Sequence, residues 1–173
     1  MRVIFDTSAF IPENKPEEER TAILKLTELL PDLDVTIYVS KGIIKEYMSK
    51  LRLFPSRFRE LFRNVISAAC RIKPCKELEF GNSKIHRIEP KKTNLDNEFR
   101  SIIEDRCRKY DQEDEKFLEL FIYLGKSEEI FLVTASEDLA CMANEAKRLL
   151  NLQRSVRNNI CSFLVELRMN QNS

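Results

Sequence analysis

Four acidic residues lie where a predicted strand ends or a predicted helix begins: Asp6, Glu46, Asp114 and Asp138. In an open α/β sheet the ends of the parallel strands share one edge, and the helices that leave this edge present their first turns to it. We therefore expect the four carboxylates to converge. Clustered carboxylates repel each other unless a cation lies among them, and their oxygen atoms suit Mg²⁺ or Mn²⁺. Such a centre can lower the pKa of a bound water and align that water with a phosphodiester.

Each of these acids, taken alone, also has a purely structural explanation. Asp6-Thr7-Ser8 is typical of a turn between a strand and a helix. Asp111 and Glu113 are suitable helix caps, and Asp114 would then only complement the helix dipole. The interpretation as a metal site depends on the acids meeting at one edge of the sheet.

Alternating strands and helices position these acids. Apolar and β-branched segments predict strands over 2–5, 35–39 and 130–134. Residues 78–88 around Gly81-Asn82 predict a small hairpin or an irregular loop. Helical spacing predicts a helix from Pro16 to Pro31, a second that begins after Ser40 and ends at Pro55, and a third from Pro55 to Pro74. It also predicts helices from Asn94 or Asp96 to Tyr110, from Asp111 to Gly125, from Leu139 to Leu150 and from Val156 to Met169. We predict a three-layer α/β/α fold with a central parallel sheet, formed by one domain over 1–173 in which 151–173 are a C-terminal helical extension.

The composition is that of a globular protein, with 43% apolar and 33% charged residues among 173. No apolar run approaches the ~18–20 residues that cross a bilayer, and the N-terminus lacks a signal-peptide core, so we expect a cytoplasmic protein. Five cysteines and a single histidine argue against a structural zinc site. We expect reduced thiols in the core, with a Cys70–Cys75 disulfide as the alternative.

Four sequence motifs in a fixed order resemble those of a PIN domain. They are the segments around Asp6-Thr7-Ser8, around Glu46, around Asp111 to Asp114, and from Thr134 to Asp138. The resemblance covers about residues 1–145 and is nearest to VapC-type toxins and related archaeal and bacterial PIN proteins. It implies an α/β/α fold and a metal-dependent ribonuclease.

The same resemblance implies a role for each matching residue. Asp6, Glu46 and Asp114 correspond to the family's acidic cluster, and Thr134 to the hydroxyl residue before its last acid. The family usually has Thr-x-Asp-x-Asp at this last motif, whereas this chain has Ser at position 136 and Asp at position 138. One ligand carboxylate is therefore replaced by a hydroxyl, and we expect Asp138 to substitute for it in part.

A basic segment brackets Glu46 along the chain. Ten basic and two acidic residues between Lys41 and Lys76 give this stretch a charge of +8. Such a surface beside an acidic pocket is suited to the phosphates of RNA. The candidate RNA-binding residues are Lys41, Lys45, Lys50, Arg52, Arg57, Arg59 and Arg63. The alternative is an ordinary solvated helix face, and few aromatic residues are expected at the surface for base stacking.

These features leave three functional hypotheses. The first is a ribonuclease in which Asp6, Glu46 and Asp114 bind Mg²⁺ or Mn²⁺, a water is the nucleophile, Asp138 assists, and Ser8, Thr134 and Ser136 support the ligands. The second is a catalytically impaired PIN domain that binds RNA or protein, which Ser136 favours. The third is a toxin with an antitoxin partner or a homodimer, using the last predicted helix as its surface. We favour a core role for that helix, which carries these apolar residues: Val156, Ile160, Phe163, Leu164 and Leu167.

Overall fold

A six-stranded sheet forms the centre of the molecule. The computed structural model describes residues 1–91, 95–125, 129–152 and 155–171. The strands are β1 (Arg2–Phe5), β2 (Thr36–Val39), β3 (Lys76–Phe80), β4 (Ser83–Arg87), β5 (Phe131–Val133) and β6 (Ser155–Arg157). Their order across the sheet is β3-β4-β2-β1-β5-β6, and all neighbours are parallel except β3 and β4. The predicted central, mostly parallel sheet is confirmed.

Seven α-helices accompany this sheet in the described ranges and give the predicted three-layer α/β/α arrangement. They are α1 (Glu17–Leu29), α2 (Lys41–Lys50), α3 (Ser56–Ala69), α4 (Asn97–Arg106), α5 (Glu115–Leu124), α6 (Glu137–Leu149) and α7 (Ile160–Gln171). Ser40 caps α2 as predicted, and Asp96 caps α4 by accepting a hydrogen bond from the Phe99 amide at 2.8 Å. Asn94, the alternative cap, lies outside the described residues. Within the described part of the chain, no helix combines the length and apolarity that a bilayer crossing requires.

The central strand β1 is anchored in an aromatic core. It lies between β2 and β5, and its last three residues are fully buried. The Phe5 ring lies 5.1 Å from Phe10 and 5.8 Å from Phe163, measured between centroids. Phe10 in turn contacts Phe58 and Phe62 of α3. Both α3 aromatics are buried, and the packed rings hold the end of β1 in a fixed position.

The antiparallel strands β3 and β4 form a hairpin, so the first of the two predictions for residues 78–88 is confirmed. Gly81 at its turn has a φ of 65°, a conformation that favours glycine. A Cβ atom at this position would collide with the carbonyl of Pro31. The Asn82 amide donates a hydrogen bond to the same carbonyl at 2.6 Å, so the hairpin is fastened to the end of α1.

The C-terminal segment differs from the prediction of a helix beginning at Val156. Val156 pairs with Leu132 in a sixth strand parallel to β5, and α7 begins only at Ile160. A three-residue strand is too short for its periodicity to be distinguished from a helix in the sequence. Four apolar side chains of α7 are buried, so the core interpretation is confirmed for Ile160, Phe163, Leu164 and Leu167, whereas Val165 and Met169 of the same helix are exposed.

The cysteines also differ from the prediction. Cys107 and Cys141 form a disulfide with a Cα–Cα distance of 5.8 Å, which joins the end of α4 to α6. The expectation of reduced thiols is wrong for these two residues. The alternative Cys70–Cys75 bond is also wrong, because both thiols are free and exposed. Spacing along the chain does not determine disulfide connectivity, and the bonded pair is separated by 34 residues.

Candidate active site

The end of β1 places Asp6 in a buried polar pocket. Its residue exposure is only 3%, and its amide donates a hydrogen bond to the Val133 carbonyl of β5 at 2.9 Å. Three hydroxyl groups donate to the Asp6 carboxylate. Thr134 lies 2.7 Å from Oδ2, Thr7 lies 3.2 Å from Oδ1, and Ser8 also contacts Oδ2. Because the carboxylate has donors on both oxygens, it tolerates burial without a direct cationic partner.

The predicted supporting residues connect the turns after β1 and β5. The Ser8 hydroxyl oxygen accepts a hydrogen bond from the Ala135 amide at 2.8 Å, and the Thr134 hydroxyl oxygen accepts one from the Ser136 amide at 2.9 Å. Ser8 and Thr134 therefore both contact Asp6 while bridging the two strand ends. The Ser136 side-chain oxygen is used differently, because it caps α6 by accepting from the Leu139 amide at 3.3 Å.

Glu46, in the second turn of α2, is joined to Asp6 through Thr7. The Thr7 hydroxyl lies 2.6 Å from Glu46 Oε1. Lys116 Nζ lies 2.5 Å from Oε2, and Lys50 Nζ lies 3.2 Å from Oε1. Burial alone would raise the pKa of Glu46, but the hydrogen bonds from Lys116 and Thr7 and the two lysine charges outweigh it and lower this pKa. Glu46 is therefore held as a carboxylate.

Asp114 is the acid of this region whose ionisation is opposed by the negative charges around it. It ends a short 3-10 turn, Gln112–Asp114, and its side chain does not cap α5. Burial and the charges of Asp6, Asp111 and Glu46 raise its pKa from 3.8 to about 7. Asp114 is thus within electrostatic reach of both other predicted acids. We refer to Asp6, Glu46 and Asp114 together as the acidic pocket.

The fourth predicted acid, Asp138, lies within electrostatic reach of Lys109. It is partly buried in the first turn of α6. The pKa of Lys109 is raised mainly by its 2.8 Å hydrogen bond to Asp111, and the charges of Asp138 and Asp114 add to this effect. The charges of Asp138 and Asp114 thus both act on Lys109, while Glu137, the neighbour of Asp138, is exposed.

The acidic pocket fits a divalent cation by its chemistry but is not arranged as a finished metal centre. Among the described residues, no three His, Cys, Asp or Glu side chains form a group that could hold one ion. The oxygens of Asp6 and Glu46 are engaged by hydroxyls and lysines. The donors are nonetheless hard carboxylate oxygens, and a cation would offset both the burial and the neighbouring negative charges that raise the pKa of Asp114. Asp6, Glu46 and Asp114 could hold such an ion after local rearrangement of their partners.

The predicted basic residues do not form one surface. Lys45 and Lys50 line a groove of about 330 Å³ that also contains Gly42, Glu46, Glu113 and Lys116, and we call it the lysine groove. Arg57 lines a different groove, with Leu24 of α1 and Leu61 of α3. The guanidinium of Arg59 donates to the Arg52 carbonyl at 3.2 Å, and Arg63 is exposed on α3. The exposed Lys41 has its amide bonded to Glu89 at 2.9 Å.

Three residues of the pocket were not predicted from the sequence. Thr7 connects two carboxylates, Lys116 forms an ion pair with Glu46, and the hydroxyl of the buried Tyr47 donates to the Phe5 carbonyl. Burial and the charges of Asp6 and Glu46 raise the pKa of Tyr47 well above its usual value, which keeps its hydroxyl protonated as a donor. No local spacing identifies Lys116, because its partner Glu46 lies on another helix.

Comparison of the chain with protein-family models, characterised proteins and solved structures gives no significant match. The likeness to PIN domains therefore stays a prediction from four sequence motifs. Any functional assignment depends on the side chains of the acidic pocket and the lysine groove.

Proposed function

We propose that the chain is a PIN-type endoribonuclease that requires Mg²⁺ or Mn²⁺ and hydrolyses RNA phosphodiesters. One observation carries this proposal. Acids from three distant segments, Asp6, Glu46 and Asp114, are coupled beyond the carboxyl end of the central parallel strands, through Thr7 and through their charges. Ligand sites of α/β sheets lie at this edge. The cytoplasmic location that an RNA substrate implies stays a prediction, and the Cys107–Cys141 disulfide is uncommon in that compartment.

In this proposal Asp6, Glu46 and Asp114 hold the cation, and Asp138 assists from the start of α6. When bound, the cation supplies Lewis acidity toward water and the phosphodiester. The hydroxyls of Thr7, Ser8 and Thr134 orient the Asp6 carboxylate.

The lysine groove extends this arrangement toward the substrate. Lys45 and Lys50 line it directly beside Glu46. Their ammonium groups would bind phosphates that flank the reacting one, and such contacts position a strand without reading its bases. Salt should therefore weaken binding of RNA by this chain.

Replacement of Asp6 by Asn tests the proposal. The substitution removes one carboxylate but keeps its size, so we expect Mn²⁺-dependent cleavage of a fluorescent single-stranded RNA to be lost. Asp105→Asn, on the exposed surface of α4, is the matched control and should cleave like the natural chain. Circular dichroism checks that both variants fold. Unchanged cleavage by Asp6→Asn would refute the assignment.

A catalytically impaired module that binds RNA or protein is the second candidate, and Ser136 favours it. Ser136→Asp distinguishes the two functions without loss of the helix cap, because Asp is as good an N-cap as Ser. A large gain in Mn²⁺-dependent cleavage would indicate that the natural site is impaired. An unchanged rate in an active enzyme would argue against this candidate. An antitoxin or homodimer partner stays a prediction.

A further inference from the structure

Lys116 is a cation that the chain itself supplies to the acidic pocket. Its ammonium lies 2.5 Å from Glu46 Oε2 and also donates to the Glu113 carbonyl. The other Glu46 oxygen accepts from Thr7 at 2.6 Å and pairs with Lys50 at 3.2 Å. The Glu46 side chain is only 11% exposed, so the pair is screened little by solvent. Both oxygens of this carboxylate are therefore occupied.

Asp6 differs from Glu46 in the character of its partners. Its carboxylate is held by the neutral hydroxyls of Thr7, Ser8 and Thr134. Hydroxyl groups rotate and can share a carboxylate with a cation, since each carboxylate oxygen has more than one lone pair. An ammonium group carries positive charge and repels a second cation at the same oxygen. A divalent ion must therefore displace the lysines from Glu46, whereas it can share the Asp6 carboxylate with the hydroxyl groups.

We propose that Lys116 is an internal counter-ion that a divalent cation displaces from Glu46, and that the released ammonium then binds a phosphate of the RNA strand in the lysine groove. This inference rests on the proposed function and specifies how its cation and substrate are coupled.

The lysine groove offers the released ammonium an anion partner. Lys116 shares this groove of about 330 Å³ with Lys45 and Lys50. Its stem is fixed at the base, because a Cβ atom on Gly42 would lie 3.4 Å from Lys116 Cβ, so the two helices approach closely there. Beyond this point the side chain is 24% exposed and has rotatable bonds, which allow the ammonium to turn from Glu46 to the groove. Once a divalent cation holds Glu46, three ammonium groups face the groove and favour a phosphate.

Exchange of Lys116 between two anions makes the two ligands cooperative. A cation on Glu46 releases the lysine for phosphate, and a phosphate that draws the lysine away frees Glu46 for the cation. By linkage, each ligand raises the affinity of the other by the same factor. A chain without the Lys116 ammonium loses this coupling but leaves Oε2 of Glu46 open to the cation.

Isothermal titration of the full chain with MnCl₂ alone tests the first step. Lys116→Met should bind Mn²⁺ about tenfold more tightly than the natural chain, a change within the usual range of such couplings. Lys45→Met is the matched control, because it removes an equal charge from the same groove but not from the ion pair with Glu46. Its Mn²⁺ affinity should change by much less. Lys116→Arg, which keeps the charge, should restore the weaker binding, and thermal melts check that the variants fold.

Fluorescence anisotropy of a labelled single-stranded oligodeoxynucleotide, whose integrity is checked by gel electrophoresis after each titration, tests the second step. Mn²⁺ should raise its affinity for the natural chain by a larger factor than its affinity for Lys116→Met, in which only the charge of the cation itself acts on the phosphate. Equal Mn²⁺ affinity of Lys116→Met and the natural chain would overturn the inference and leave the proposed nuclease intact. Absence of Mn²⁺ binding by both would instead overturn the metal requirement of the proposed function. A coupling in Lys116→Met as large as that of the natural chain would overturn the transfer to phosphate.

Discussion

Replacement of Asp114 by Asn should stabilise the metal-free protein, although it removes a residue of the proposed site. Burial and the charges of Asp6, Asp111 and Glu46 raise the pKa of Asp114 from 3.8 to about 7. The folded chain therefore holds this proton to a higher pH than the unfolded chain. By linkage, Asp114 destabilises the fold increasingly as the pH rises from about 4 to about 7. Asn has nearly the same shape and carries no charge, so it removes the penalty.

The size of the effect follows from the same rise in pKa. At about 1.4 kcal/mol per pKa unit, a pKa of about 7 corresponds to at most about 4 kcal/mol. Asp114 is partly exposed, so solvent screening reduces the expected gain to about 1–2 kcal/mol at about pH 8. At about pH 5 the folded carboxyl is mostly protonated, and we expect only about 0.5 kcal/mol there.

Urea unfolding in EDTA, followed by circular dichroism at both pH values, measures this difference. Asp105→Asn is the matched control, since its carboxylate is exposed on α4, and it should change the free energy of unfolding by less than about 0.5 kcal/mol at either pH. Addition of Mn²⁺ should reverse the order of stability, because the natural chain gains binding free energy that Asp114→Asn lacks. A variant that is no more stable than the natural chain at about pH 8 would refute the described repulsion.

Three further substitutions test other contacts around the site by urea unfolding. Loss of the disulfide in Cys107→Ser/Cys141→Ser should lower the free energy of unfolding by about 3–4 kcal/mol, because the bond closes a loop of 34 residues, and reduction of the natural chain should have the same effect. Thr7→Val should cost about 1–2 kcal/mol, since two buried carboxylates lose a shared donor, and a neutral result would contradict that role. Tyr47→Phe should cost about 1 kcal/mol because it leaves the Phe5 carbonyl unpaired, and no loss would show that water replaces the hydroxyl.

The elements of the fold that could be predicted are those whose pattern is local. The strand at 2–5 is a run of apolar residues before a polar turn, and it is buried on both faces in the structure. Ser40 and Asp96 cap helices as their residue types predict. The β6 strand could not be predicted, because three residues have no readable period and gain their structure from pairing with β5. The disulfide depends on how α4 and α6 meet, which no local pattern encodes.

The acids of the candidate site could be selected from the sequence, whereas their partners could not. Asp6 lies at the end of a predicted strand and Glu46 on the helix after another, so topology alone suggests that they meet. Lys116 looked like an ordinary helical surface residue. Its ion pair with Glu46 exists only because α2 and α5 pack closely beside Gly42. Tertiary contacts of this kind determine whether a carboxylate is free, paired or protonated.

Two lysines balance part of the negative charge in the acidic pocket. Three carboxylates face two lysines, and the raised pKa of Asp114 leaves its charge incomplete near neutral pH. A fourth carboxylate at position 136, where the PIN pattern usually has Asp, would add repulsion to a pocket that already raises this pKa. Ser136 and Lys116 therefore both make the acidic pocket less negative, since Ser136 is neutral where an Asp would be charged and Lys116 is positive. Both reduce the repulsion among the carboxylates and weaken the attraction of the pocket for a divalent ion. Ser136→Asp should consequently strengthen Mn²⁺ binding while it destabilises the metal-free protein, and a variant that did neither would show that position 136 does not act on the pocket.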